Sequence, residues 1–155
     1  MQNVEEERCE ATARGERESR RDPGGDHRLS LSLAAVPASV PEARAAVFAW
    51  CQDLGVAPRR RAEVCLALTE ACANVVQHAY RPPSGTSGLL DVEAQPENSS
   101  LVLTIRDYGL GLRPRPDSPG AGLGLPLMAA LCERVEVRRT EDPPRTELVL
   151  RFAVS

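Results

Sequence analysis

The stretch from Arg59 to Tyr80, RRRAEVCLALTEACANVVQHAY, constrains the fold more than any other part of the sequence. It contains neither Gly nor Pro, and most of its residues favour helix, so it predicts one long helix. Pro58 suits the start of that helix, and Arg81-Pro82-Pro83 ends it. Apolar residues at spacings of three and four form one stripe along it: Cys65, Leu68, Cys72, Val75, Val76 and Ala79.

Two polar side chains on this helix point to more than structure. Glu70 and Asn74 are four residues apart, so they are neighbours on one face. A carboxylate and an amide on a mostly apolar helix cost free energy if they are buried without partners. A structural helix does not need them there, whereas a site for a metal ion and phosphate would. For His78, four residues further on, we favour a place at the helix end that shapes a pocket.

The composition narrows the class of protein. With 155 residues and 42% hydrophobic content the chain suits one domain, and with only 3% aromatic residues its core must be Leu, Val and Ala. All 19 basic residues are Arg, which excludes a P-loop because that motif depends on its lysine. The net charge of −3 shows no basic excess, so direct nucleic-acid binding is not expected.

The cysteines and the N-terminus indicate a cytoplasmic protein. The five cysteines include no C-x-x-C pair, so they predict small buried hydrophobes in a reducing compartment rather than a zinc site. No apolar run is long enough to span a membrane, and the charged N-terminus lacks a signal peptide's apolar core. We expect a disordered or flexible tail over residues 1–27 and one domain over residues 28–155.

The remaining periodicities predict strands and helices in the order β-α-α-β-β-α-β-β. Hairpins broken by helices favour an α+β fold with a mixed, mostly antiparallel sheet and helices on one face, rather than a doubly wound sheet. The predicted strands cover residues 28–36, 89–95, 101–106, 134–140 and 147–154, with a turn at 96–99, and the predicted helices begin near Ser39, at Arg59 and at Leu123.

Two glycine clusters follow the third predicted strand, at residues 107–111 and 120–124. The first, Asp107-Tyr108-Gly109-Leu110-Gly111, leaves the end of a strand, and the second, Gly120-Ala121-Gly122-Leu123-Gly124, opens a helix. Glycines permit a close approach of the backbone, and a glycine-rich helix entry presents free N–H groups to anions. Either cluster alone suits a surface loop, and the order of elements excludes a dinucleotide-binding Rossmann reading.

Together, three motifs are far more specific. Glu70-x-x-x-Asn74, Asp107-x-Gly109-x-Gly111 and Gly120-x-Gly122-x-Gly124 resemble the N, G1 and G2 boxes of the GHKL ATPase superfamily. Within it, the run from Glu70-Ala71 through Asn74 to His78-Ala79-Tyr80 resembles the bacterial anti-sigma-factor serine kinases (the RsbW and SpoIIAB group). The resemblance covers residues 29–154. It implies a two-layer α/β sandwich of the Bergerat type that binds ATP and Mg²⁺.

The resemblance also implies roles for single residues. Asn74 would hold the Mg²⁺ that bridges the ATP phosphates, and Glu70 would be the general base facing a serine hydroxyl. Asp107 would accept a hydrogen bond from the adenine amino group. Thr146 matches the adenine-side threonine, although Arg145 stands where a glycine usually precedes it. The implied nucleotide-binding backbone comprises Gly109, Gly111, Gly120, Gly122, Leu123 and Gly124, with Leu112 to Pro119 as a short lid whose Arg113 and Arg115 either pair with phosphate or are solvated.

The function that follows from the resemblance is an ATP-dependent serine/threonine kinase. It would phosphorylate a STAS-type anti-anti-sigma protein, hold a sigma factor, and form a homodimer. One alternative is an ATP-binding regulatory module that transfers no phosphate, although Glu70 favours the kinase because a pure binder needs no base. An ATPase and a histidine kinase fit less well, because transducer and phosphoacceptor domains are missing from the sequence.

Overall fold

A computed structural model describes residues 27–80, 88–109 and 124–154 of the chain. The predicted order of elements is confirmed. The strands are β1 (Leu29–Ala34), β2 (Leu89–Glu97), β3 (Ser100–Asp107), β4 (Arg134–Glu141) and β5 (Pro144–Ala153), and the helices are α1 (Ser39–Asp53), α2 (Pro58–Asn74) with a π-helical turn at Val75–Ala79, and α3 (Gly124–Leu131). The tail expected over residues 1–27 lies almost entirely outside the described residues.

The strands form one sheet in the order β1-β2-β3-β5-β4, and every neighbouring pair is antiparallel. Buried and exposed residues alternate along β1, where Leu29, Leu31 and Leu33 are buried and the residues between them are exposed. Because side chains alternate across a strand, the buried set faces the helices and forms the core with them. This is the predicted α+β sandwich with helices on one face.

The helical layer closes over that face. Trp50 of α1 is buried, and its indole N–H donates to the carbonyl oxygen of His27 at 2.7 Å, which satisfies the polar atom of a large core side chain. Helix α1 ends at Asp53, and Gly55, two residues further on, has a φ of 70° in the left-handed region that favours glycine. Phe48 instead faces outward with the Arg61 guanidinium 4.7 Å from its ring centroid.

The cysteines behave largely as predicted. Cys51, Cys65 and Cys72 are buried free thiols, and Cys132 is a half-buried one. Burial raises the pKa of Cys51 and of Cys72 to about 12, so both remain protonated and apolar at neutral pH. Cys9 lies outside the described residues.

The long helix differs from a uniform α-helix at its end. It is α-helical from Pro58 to Asn74, and its last turn, Val75–Ala79, is π-helical. A π-turn places an extra residue in one turn of the helix, and such turns occur often at functional sites. The change in hydrogen bonding falls directly after Asn74, so the residues beyond it are rotated relative to the predicted stripe. Val75 and Ala79 are buried, whereas Val76 is only partly so.

The first hairpin turn is shorter than predicted. Pro96 and Glu97 belong to β2, and the turn itself is made by Asn98 and Ser99, with Asn98 at a φ of 53°. Pro96 is tolerated in the strand because β1 pairs with β2 only as far as Ala94, so its missing N–H faces no neighbouring strand on that side. Strand β5 likewise begins earlier than predicted, at Pro144.

Candidate functional site

Helix α2 carries the two polar residues that the sequence singled out. Glu70 and Asn74 are both half-buried, whereas Ala71 and Cys72 between them are fully buried. The buried pair holds this part of the helix against the core, and that anchoring fixes the direction in which the polar face points. The polar pair therefore lies at the margin of the core, where a side chain is ordered and still reachable.

Asn74 lies against the first residue of α3. A Cβ atom added at Gly124 would be 3.0 Å from Nδ2 of Asn74 and 3.6 Å from its Oδ1. The last glycine of the second cluster thus leaves the space that the amide occupies. The structure therefore brings together two motifs that are 50 residues apart in the sequence.

Asp107 and Thr146 lie directly opposite each other on neighbouring strands. They are Cα partners in the pairing of β3 with β5, and both are buried, at 2% and 5% exposure. Opposite residues of an antiparallel pair point to the same face and lie close together. The Asp107 carboxylate and the Thr146 hydroxyl are therefore neighbours on the helix-facing side of the sheet. The same row continues to Arg139, the exposed partner of Thr146 on β4.

The turn after Asp107 is built on its carboxylate. The N–H of Gly109 donates to Asp107 Oδ1 at 3.1 Å. A Cβ at Gly109 would be 2.1 Å from the backbone oxygen of Ala79, so the turn touches the end of the long helix at a distance that only glycine permits. The first glycine cluster is thereby joined to the helix that carries Glu70 and Asn74.

Sequence reasoning missed the part that Tyr80 plays at this junction. Its hydroxyl bonds to the backbone on both sides of the site, at Leu89 and at Tyr108. No periodicity would have indicated this, because Tyr80 is the residue at which the helix ends. Tyr108 itself turns to the opposite side of the sheet, where its hydroxyl donates to the carboxylate of Asp91.

Several predicted site residues are not placed. Gly111, Gly120, Gly122 and Leu123 lie outside the described residues, as do the proposed lid from Leu112 to Pro119 and its two arginines. The structure thus positions Glu70, Asn74, Asp107, Gly109, Gly124 and Thr146 from the predicted set.

The described residues offer Mg²⁺ an amide oxygen at Asn74 rather than a cluster of charged side chains. Within residues 27–80, 88–109 and 124–154, no group of three or more His, Cys, Asp or Glu side chains could hold a metal ion. Mg²⁺ keeps several waters and needs only one or two protein ligands beside phosphate, so a single amide oxygen at Asn74 fits it. Gly109 and Gly124 contribute through close packing, because protein atoms of Ala79 and Asn74 occupy the space beside them.

These features define a class, that of α+β sandwiches in which helices cover one face of a five-stranded antiparallel sheet. Residues 33–152 match the family model of the histidine kinase-like ATPase domain, and the chain belongs to that family.

The chain is also similar to named relatives. It is 25% identical over 137 residues to an anti-sigma F factor of Clostridium beijerinckii, covering 81% of this chain and 94% of that protein. It is 26% identical over 125 residues to the serine-protein kinase RsbW of Bacillus pumilus, covering 71% and 77%.

A solved structure shares the fold. The RsbU and RsbW domains of a Mycobacterium tuberculosis protein superimpose with a TM-score of 0.66 at 20% identity, covering 82% of this chain. This chain spans about a third of that larger one, 32%. At this identity the likeness establishes the fold alone.

Among the described helices, none is long and apolar enough to cross a membrane.

Proposed function

We propose that the protein is an ATP-dependent serine/threonine kinase and anti-sigma factor. It phosphorylates a serine of a STAS-type anti-anti-sigma protein. It also binds and holds a sigma factor. The observation that carries the proposal is the contact of Asn74 with Gly124, one helical turn from Glu70. The names of the relatives, anti-sigma F factor and serine-protein kinase RsbW, support it.

Each placed residue has a part in this function. Mg²⁺–ATP, when bound, supplies the phosphoryl group and neutralises charge on it. Asn74 offers the amide oxygen that binds Mg²⁺, with Gly124 opening α3 at the phosphate end. Asp107 and Thr146 bind the adenine edge from the paired strands. Because Asp107 is already oriented by the Gly109 N–H, little ordering is needed when the base binds.

Glu70 is the general base in this proposal. It is half-buried on the same helix face as Asn74, one turn away, so it lies beside the proposed phosphate end of the site. A carboxylate within hydrogen-bond reach of a serine hydroxyl takes its proton as the oxygen attacks. An ATP-binding module without phosphotransfer would have no use for this carboxylate.

We extend the proposal to the protein's setting. It acts in the cytoplasm as a homodimer, and its domain comprises residues 28–155. These points rest on the resemblance to the anti-sigma kinases and on the sequence.

The test is transfer from labelled ATP to candidate STAS proteins. We expect label on a STAS serine with the wild-type protein, and a loss of about a hundredfold or more in rate with Glu70→Gln. ATP binding should be retained by that variant.

Glu63→Gln is the matched control, since Glu63 lies on the same helix and is paired with Arg59 and Arg60 at 3.2 and 2.7 Å. It should transfer at the wild-type rate. Binding of ATP without transfer to any STAS protein would favour the regulatory module, and transfer by Glu70→Gln at the wild-type rate would remove the base assignment.

A further inference from the structure

The Tyr80 hydroxyl connects three segments around the candidate site. It donates to the carbonyl oxygen of Leu89 at 2.6 Å and accepts from the N–H of Tyr108 at 2.9 Å. Leu89 opens β2, and Tyr108 directly follows Asp107 at the end of β3. A phenolic hydroxyl has one proton to donate and lone pairs to accept with, so both bonds form at the same time.

The Tyr80 ring occupies space that two glycines leave. A Cβ at Gly88 would be 2.0 Å from Cζ of the ring, and a Cβ at Gly109 would be 3.0 Å from its Cδ1. The ring is therefore held between the residue before β2 and the turn after β3. Burial raises the pKa of Tyr80, which keeps the hydroxyl protonated as a donor.

These contacts constrain the turn that contains Asp107. The Gly109 N–H is bound to Asp107 Oδ1, and the Tyr108 N–H is bound to the Tyr80 hydroxyl. Both backbone amides after Asp107 are therefore hydrogen-bonded, that of Gly109 to Asp107 itself and that of Tyr108 to Tyr80 at the end of the helix. Since Tyr80 follows directly on the π-helical turn after Asn74, it links the two parts of the site through one side chain.

We infer that Tyr80 is a positioning residue for nucleotide binding, whose hydroxyl fixes the Asp107–Gly109 turn relative to the helix that bears Asn74. The inference rests on the proposed binding of ATP and adds a residue that does not touch the nucleotide. Without the hydroxyl, the fold persists, but the turn samples positions in which Asp107 and Asn74 do not bind one ligand together.

The direct test is Tyr80→Phe, which keeps the ring and removes both bonds. Affinity for a fluorescent methylanthraniloyl-ATP, measured in the presence of Mg²⁺, should fall about threefold to tenfold, the range expected for loss of the one hydrogen bond that holds the turn at Tyr108. Ser32→Ala is the matched control, because it removes a hydroxyl that donates to Asp91 Oδ1 at 2.7 Å in an exposed position outside the Asp107–Gly109 turn. It should bind the analogue as the wild type does.

A purely structural role predicts different results. It would lower the melting temperature of Tyr80→Phe and leave the affinity of the folded protein unchanged. In phosphotransfer assays, a positioning role raises KM for ATP and leaves KM for the protein substrate unaltered. Tyr80→Phe within twofold of the wild-type affinity overturns the inference.

Hydrogen exchange of the wild-type protein gives a second measurement that does not depend on a variant's folding. The Tyr108 amide should be protected in the free protein and exchange more slowly still with Mg²⁺–ATP. Equal exchange with and without nucleotide, while the nucleotide binds, overturns the inference. A wild-type protein that binds no nucleotide would instead contradict the proposed function itself.

Discussion

Gly124 lies so close to Asn74 that a methyl group at this glycine would be 3.0 Å from the amide nitrogen. At this separation the neighbour must move by a few tenths of an ångström, and here the neighbour is a side chain rather than backbone. The contact therefore ties the orientation of the Asn74 amide to the absence of a side chain at the start of α3. A substitution at Gly124 therefore tests how closely the two motifs must approach each other.

Gly124→Ala should separate stability from binding. Alanine favours helix over glycine by up to about 1 kcal/mol, so the free energy of unfolding should not fall. The added methyl displaces the Asn74 amide, so affinity for Mg²⁺–ATP should fall several-fold in a nucleotide titration. Weakened stability with unchanged affinity would show that the contact serves packing alone.

Gly55→Ala is the matched glycine control for that experiment. Its φ of 70° is costly for alanine, and no atom lies within 4 Å of the added Cβ. We expect a loss of about 1 kcal/mol in the free energy of unfolding with unchanged nucleotide affinity.

Asn74→Ala should remove the part of nucleotide affinity that depends on Mg²⁺. Losing the amide oxygen removes the one protein ligand proposed for the ion, whereas the adenine contacts at Asp107 and Thr146 remain. ATP titrations with Mg²⁺ and with EDTA measure this directly, and for the variant the two affinities should converge. An undiminished difference between them would contradict the assignment of Asn74.

Local patterns in the sequence predicted the elements of this fold well. The alternation of Leu29, Leu31 and Leu33 identifies a half-buried strand, and the three- and four-residue spacing along α2 identifies its buried stripe, because each period reflects the geometry of a single element. Those patterns were sufficient for the order of elements and for an antiparallel sheet with one helical face.

The details of the candidate site depend on contacts that no local pattern records. The pairing of Asp107 with Thr146 is a matter of register between β3 and β5, which are separated along the chain by α3 and β4. The contact of Gly109 with Ala79 and the bonds of Tyr80 likewise join distant segments. The spacing of the motifs identified the candidate residues, but only the fold shows which of them lie in contact.

Gly109→Ala should disrupt the junction between the first glycine turn and the helix. Its Cβ would be 2.1 Å from the oxygen and 2.8 Å from the carbon of the Ala79 carbonyl, and backbone cannot yield as a side chain does. We expect a loss of about 1 to 3 kcal/mol in the free energy of unfolding, typical of overpacking, together with loss of ATP binding. Urea unfolding and nucleotide titration measure the two effects, and a variant as stable as the wild type would contradict the contact.

The buried thiols should make stability fall in alkaline solution. Burial raises the pKa of Cys51 and Cys72 from 9.0 to about 12. Because the folded-state pKa lies above the unfolded value, their contribution is fully present below pH 9 and is lost as the pH rises through the folded pKa.

Between pH 9 and about 12 the unfolded chain has released protons that the folded chain still holds. The free energy of unfolding should therefore decrease by up to about 1.4 kcal/mol per pH unit for each thiol. Urea unfolding under reducing conditions at pH 8, 9 and 10 measures the slope. Cys72→Ala should be less stable at pH 8 because of the cavity it leaves, yet lose stability less steeply above pH 9. An equal slope for wild type and variant would show that this thiol ionises alike in both states.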